Sequence, residues 1–275
     1  MHTVAATDLR IPAIGFGTWQ LDGPTARSMV ETALELGYRH VDTAFIYKNE
    51  QEVGDAIASS GVPRDEIFLT TKIWTDSFAD GDLQRAAEAS VKRLGGPVDL
   101  LLLHWPVPSV PLAETIRALN AVKAAGLTRG IGLSNYPSAL MREAASYSQE
   151  PLATNQVEYH PYLTQQMVLQ AARDMGATVT AWSPIARGRV ADDPVLISIG
   201  EAHGKTPVQV ALRWLIQQEG VIAIPRTTSA TRAAENIAVF DFSLSEAEIA
   251  AINELASPQG RIGDWLDPAY QWDRR

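Results

Sequence analysis

Apolar and polar positions along the chain follow two alternating patterns. Short apolar runs without internal alternation are separated by stretches in which apolar residues return every three or four positions. The first pattern suits strands covered on both faces, the second amphipathic helices. IPAIGFGTW (11–19), HVDTA (40–44), FLTTKIW (68–74), DLLLLHWP (99–106), RGIGLSN (129–135), TNQVEY (154–159), TVTAWSP (178–184) and VIAIPR (221–226) read as eight strands.

A helix follows each strand. Pro24 to Leu36 carries Met29, Val30, Ala33 and Leu34 on one face and stops at Gly37. Glu50 to Ser59 follows the second strand, and Leu83, Ala87, Val91 and Leu94 mark the third helix, before Gly95-Gly96. Leu112, Ile116, Leu119 and Val122 mark the fourth; Pro137 to Ser146 and Gln165 to Met175 are the fifth and sixth. Asp193-Pro194 and Thr206-Pro207 open two more, the latter with Gln209 completing a capping box. Another starts near Thr231. His2 to Arg10 suggests a small hairpin before the first strand, and Leu244 to Ala256 a final helix before an aromatic tail with Trp265, Tyr270 and Trp272. Eight strand and helix pairs in strict order, with no Gly-x-Gly-x-x-Gly turn, predict an α/β fold: a (β/α)8 TIM barrel with an additional C-terminal helix and tail.

Composition narrows the picture without changing it. The 275 residues, 46% of them hydrophobic, can bury one large core. A barrel of about 250 residues fits that length, so a single domain over 1–275 is expected. Zero cysteines exclude disulfides, thiolate ligands and a cysteine nucleophile, and the five histidines lack metal-ligand spacing. A net charge of −9 argues against a nucleic-acid partner and requires any phosphate site to be a local basic cluster. With no basic, apolar leader and no apolar run of about 18 residues, a soluble cytoplasmic protein is the expectation.

Candidate chemistry lies where three successive apolar strands end. Asp42, Lys72 and His104 close the second, third and fourth, and Tyr47 follows Asp42 by five positions. A carboxylate in an apolar strand needs a partner, and Lys72 is the natural one. Alone, Asp42 and Lys72 could be a structural ion pair, His104 a satisfied core histidine and Tyr47 a loop tyrosine. At one end of a barrel, on adjacent strands, they point to a site. Trp19, Trp74 and Trp105, just past three strand ends, would wall an apolar substrate pocket.

These stretches resemble the aldo-keto reductases over essentially the whole chain: GFGTW, GYRHVDTAFIYKNE, TTKIW, LLLLHWP, GLSNY, NQVEYHPYL, AWSP and IPRTTSATRAAEN occur in that family's order. The ending RIGDWLDPAYQWD is most similar to the bacterial diketogluconate reductase branch. The resemblance implies a catalytic tetrad of Asp42, Tyr47, Lys72 and His104, with Tyr47 giving a proton to the substrate oxygen, and NADP(H) as cofactor. It assigns Ser134, Asn135 and Gln156 to the nicotinamide carboxamide, Trp182 to the nicotinamide face, and Thr18, Trp19, Ser183 and Gly188 to the cofactor's path. Arg226, Thr227, Arg232, Glu235 and Asn236 fall to the adenosine end. On the residues themselves, Trp182 could be core filler and the two arginines solvated charges. Tyrosine's ordinary pKa of about 10 calls for a cation beside it, a role that fits Lys72. The expected activity is reduction of small aldehydes, dicarbonyls and keto-sugars by a monomer, with the tail from Ser257 to Arg275 closing over the site and Trp265 near the substrate. Competing readings are a cofactor-binding redox sensor and a barrel isomerase or lyase using Asp42 and Lys72 alone.

Overall fold

In the computed structural model, which describes residues 2–273, the apolar run at 11–19 is divided between two elements. Thr3–Ala6 (β1) and Leu9–Pro12 (β2) pair antiparallel, so the expected hairpin extends through Pro12, and only Phe16–Gly17 (β3) joins the barrel ladder. The run misleads because both pieces are buried. A β-carbon on Gly15 would lie 2.7 Å from His40 Nδ1, so the chain needs glycine to pass here.

The remaining strands keep the expected order: His40–Asp42 (β4), Phe68–Ile73 (β5), Val98–Leu103 (β6), Thr128–Ser134 (β7), Leu152–Glu158 (β8), Thr178–Trp182 (β9) and Val221–Ala223 (β10). Each of β3 to β10 pairs in parallel with its neighbour in sequence. The ring closes through a parallel bridge between Ile14 and Ala223, with Gly15 N–H donating to Ala223 O (2.9 Å) and Gly17 N–H to Pro225 O (3.0 Å). Among the described residues ten α-helices accompany the strands: Gly23–Glu35 (α1), Glu50–Ser59 (α2), Asp82–Arg93 (α3), Leu112–Ala124 (α4), Ser138–Tyr147 (α5), Gln166–Asp174 (α6), Pro194–His203 (α7), Pro207–Ile216 (α8), Ala230–Ile237 (α9) and Glu246–Asn253 (α10). The last begins later than its apolar pattern suggests because Ser245 and Glu248 form a reciprocal capping box that fixes the N-terminus at Glu246. No helix among the described residues is long and apolar enough to cross a membrane.

The main core lies between strands and helices. A smaller cluster joins Leu9 and Ile11 of β2 to Phe68, Leu100, Leu102, Ala153 and Ile222, so the hairpin plugs one end of the barrel. Asp99, early in β6, receives the Leu69 amide (2.9 Å), Arg64 (2.9 Å) and Arg129 (2.8 Å), an ion cluster at the end opposite the strand C-termini.

His40 makes the barrel sensitive to acid. It is buried, paired through Nε2 with Thr70 Oγ1 (3.1 Å), and burial pulls its pKa from 6.5 to about 4, against the opposing charge of Asp42. Between those two values the unfolded chain takes up a proton that the folded chain refuses, so stability falls as pH drops through this window. The cost should approach a few kcal/mol, on the order of 1.4 per pKa unit. Thermal melts at about pH 7.5 and about pH 5 should show a steeper loss for the natural protein than for His40→Gln; equal slopes would remove His40 from the account.

Candidate active site

The ends of β4, β5 and β6 bring four polar side chains together. Lys72 Nζ lies 2.5 Å from Asp42 Oδ1 and 2.8 Å from Thr43 O, fully shielded from solvent. Gln156 Nε2 donates to the other Asp42 oxygen at 2.7 Å. Burying this pair is tolerable because the ammonium and both carboxylate oxygens are hydrogen-bonded. After Asp42 the chain makes a 3-10 turn at Phe45–Tyr47, and Lys48 (φ 56) ends it in the left-handed region. Asn49 secures this loop: it accepts from Thr43 Oγ1 (2.9 Å) and donates to Thr18 O (2.9 Å) and Leu21 O (3.0 Å). Tyr47 is thereby turned back over Lys72, whose Nζ is 5.2 Å from the phenol ring centroid. The His104 ring stands edge-on to both Tyr47 (5.8 Å) and Trp74 (5.1 Å).

The electrostatics depart from expectation in one respect. Burial first, and the charge of Asp42 second, hold the Tyr47 phenol well above its ordinary value. Lys72 does not draw it down, because Asp42, less than 3 Å from the ammonium, offsets its field. Burial also lowers Lys72, against the pull of Asp42 and Glu50, and holds His104 well below the usual imidazole range, with Lys72 adding to the effect. Near neutral pH the site therefore offers a protonated phenol beside a neutral imidazole, a donor pair suited to a carbonyl oxygen.

Tyr47 and His104 open into a cleft of about 1010 Å³ whose wall includes the expected Trp19, Trp74, Trp105, Ser134, Asn135, Gln156, Trp182, Ser183, Gly188 and Trp265. Arg226, Thr227, Arg232, Glu235 and Asn236 line the same cleft. Thr18 does not. It is wholly buried, its hydroxyl donates to Asp42 O (3.0 Å), and its part is to fix the strand end rather than to meet a ligand. Gly188 is on the wall, but its amide donates to Ile185 O (2.8 Å), so it gives the cleft room and no free donor. Its neighbour Arg187, which sequence reasoning passed over, also lines the cleft and places its guanidinium 5.7 Å from the Trp19 ring centroid.

Asn135 is the joint of one wall of the cleft. Its amide donates to His104 O and Ser134 Oγ (3.0 Å each), and its oxygen receives Trp182 Nε1 at 2.8 Å, which holds the indole as a fixed plate. Ser134 Oγ donates to Gln156 O (2.8 Å). Asn135, Ser183 and Arg187 have φ of 65, 49 and 55, so left-handed residues, uncommon outside glycine, gather at the rim. At the far end Arg226 donates to Trp19 O (3.0 Å) and Gln20 O (2.8 Å), and Arg232 Nε to Thr227 Oγ1 (3.2 Å). Ser229 caps α9 there, accepting the Arg232 amide. A flat indole and amides at one end, and two guanidiniums with a helix N-terminus at the other, fit the nicotinamide and phosphate ends of NADP(H).

The tail crosses the mouth. Glu158, the last residue of β8, is wholly buried; Oε1 accepts from Ile262 N–H (2.6 Å) and His160 Nε2 (2.9 Å), Oε2 from Gly263 N–H (2.8 Å). Asp273 caps α5, accepting from Ser138 N–H (2.8 Å) and Ser138 Oγ (2.6 Å). Trp265 approaches Trp182 (6.4 Å) and Trp105 (6.0 Å). Sequence reading assigned no role to Glu158, although an acid ending an apolar strand is the same signal that singled out Asp42.

The sequence profile of the Aldo/keto reductase family matches residues 13–257. An aldo-keto reductase of Mycolicibacterium smegmatis is 42% identical over 255 residues, covering 92% of both chains. Methylglyoxal reductase DkgB of Salmonella typhi is 42% identical over 267 residues, 94% of this chain and all of the relative. Among solved structures, one provisionally named 2,5-diketo-D-gluconic acid reductase B superposes with a TM-score of 0.98 at 50% identity, covering 100% of this chain and 98% of the other. An aldo-keto reductase of Bombyx mori in complex with NADP gives 0.87 at 34% identity, over 93% and 92%.

Proposed function

The chain belongs to the aldo/keto reductase family, and from that premise we propose that it uses NADPH to reduce small aldehydes, dicarbonyls and keto-sugars to alcohols. The observation that carries this reading is the donor pair at the cleft floor: the Tyr47 phenol, kept protonated by burial, beside a neutral His104. Bound NADPH supplies the hydride. A carbonyl oxygen lying between Tyr47 and His104 receives hydrogen bonds from both, and Tyr47 gives up its proton as charge grows on that oxygen. Lys72 then stabilises the tyrosinate, and Asp42, held by Gln156, keeps the ammonium in place. Trp19, Trp74 and Trp105 close the substrate end with apolar surface. The names of the relatives, methylglyoxal reductase and diketogluconate reductase, support dicarbonyls and keto-sugars as the substrate class. A cleft complete within one chain supports a single-domain monomer, and a cytoplasmic location is part of the same proposal.

Oxidation of NADPH by purified protein with a panel of methylglyoxal, small aldehydes and keto-sugars tests the reading; no oxidation with any of them would end it. NADPH is preferred over NADH because Arg226 and Arg232 form a basic pair in a chain of net charge −9. A charge-assisted hydrogen bond contributes roughly 1.5 to 3 kcal/mol, so Arg226→Ala should weaken NADPH about ten- to a hundredfold and leave NADH nearly unchanged. Fluorescence titrations with both cofactors measure this directly. Equal losses would show that Arg226 acts through its bonds to the Trp19 and Gln20 carbonyls instead.

A further inference from the structure

We propose that Glu158 is a positioning residue for the substrate: it grips the main chain of the tail and so fixes Trp265 as the outer wall of the carbonyl pocket. The inference rests on the reductase reading given above.

Glu158 is wholly buried at the C-terminal end of a barrel strand, where this fold places its chemistry, yet it does not line the cleft. It cannot exchange a proton with a ligand there. Its carboxylate oxygens instead face the amides of Ile262 and Gly263, more than a hundred residues later in the chain. His160, also wholly buried, supports the same carboxylate. Trp265 shows why such a grip is needed: its side chain forms part of the cleft wall although the residue is 57% exposed. So exposed an indole is held only weakly by its own packing. The main chain before it must be held instead.

The local geometry is close. A β-carbon on Gly263 would stand 2.5 Å from Trp182 and 2.9 Å from Trp265, so the tail backbone lies directly against the indole plate. Beyond Trp265, Trp272 Nε1 donates to Asp264 Oδ1 (2.8 Å), closing the segment into a loop that Asp273 ties to α5. Glu158 and Asp273 therefore pin the tail on both sides of Trp265. Loss of the inner pin loosens the wall without touching Tyr47, Lys72 or the arginines.

The test compares Glu158→Gln with the natural protein on methylglyoxal and on phenylglyoxal, which carries a bulky ring in place of the methyl group. Glutamine keeps the size but turns an N–H₂ toward one of the tail amides. KM for phenylglyoxal should rise about five- to tenfold relative to methylglyoxal, with kcat for methylglyoxal and the NADPH Kd within about twofold. Trypsin should release the 262–275 peptide faster by cutting after Arg261, whose side chain is stacked 3.7 Å from the Trp272 ring centroid in the docked tail. In a Trp265→Ala background the Glu158→Gln effect on the substrate ratio should vanish. An unchanged ratio, equal losses on both substrates, or an effect that persists without Trp265 overturns the proposal. Should Glu158→Gln fail to fold, Asp273→Asn, at the outer pin, must shift the ratio and the cleavage rate in the same direction, and no shift overturns it equally. If the natural protein oxidises NADPH with no carbonyl of the panel, the reductase reading fails, while tryptic release still reports whether Glu158 holds the tail.

Discussion

Tyr47→Phe is expected to lower turnover of a small aldehyde about 10²- to 10⁴-fold, the range typical of losing a general acid. The substitution removes one oxygen and leaves the ring against Lys72 and His104, so pocket shape and NADPH affinity should be preserved. Single-turnover rates and a fluorescence titration on the same sample separate the two. Retention of most activity would move the proton donor to His104. The burial that holds Tyr47 high and His104 low also fixes the sign of the pH dependence. Reduction should proceed without an imidazole inflection near pH 6.5, because His104 stays neutral there, and should weaken only when alkali ionises the phenol. A rate that rises as His104 takes up a proton in that region would contradict this assignment.

Lys72→Met is expected to cost both turnover and fold. Methionine follows the lysine stem but strands the Asp42 carboxylate in the interior with Gln156 alone. Breaking one side of a buried pair typically costs about 3 to 5 kcal/mol, which for a chain of this size lowers the melting temperature on the order of 10 °C. The double variant Asp42→Asn with Lys72→Met removes the stranded charge and should recover much of that stability. It should recover no activity, since the cation beside Tyr47 is still missing. Recovery of both would make the pair structural only. A single variant as stable as the natural protein would mean that Asp42 does not depend on Lys72 for its place in the interior.

The residues at the floor of the cleft were the easiest to find in the sequence, and the reason is energetic. Asp42, Lys72 and His104 each interrupt an apolar strand, and such an interruption survives only where partners exist. The barrel itself was legible because β5, β6 and β8 are long runs with helices of clear period between them. The first strand was not, since Ile11 to Gly17 is buried without a break although it belongs to two different elements, and hydropathy cannot mark the joint. Thr18 fell within a recognisable motif but serves the strand end. Arg187 reaches the cleft through a left-handed backbone angle that composition does not announce. Glu158, Asn49 and Asp273 each bond main-chain groups distant in sequence, and a main-chain partner leaves no trace in residue type.

That last property gives the tail an evolutionary freedom. Because Glu158 reads main-chain amides, most side chains from Arg261 to Trp272 can change while the tail docks in the same place, provided position 263 stays glycine and Asp273 keeps its bonds to Ser138. Mutations there can redraw the pocket wall while the proton donor, the ion pair and the arginine site remain untouched. New substrate preferences are then reachable by drift in a dozen residues at the end of the chain, and libraries built on those positions alone should yield folded variants at high frequency.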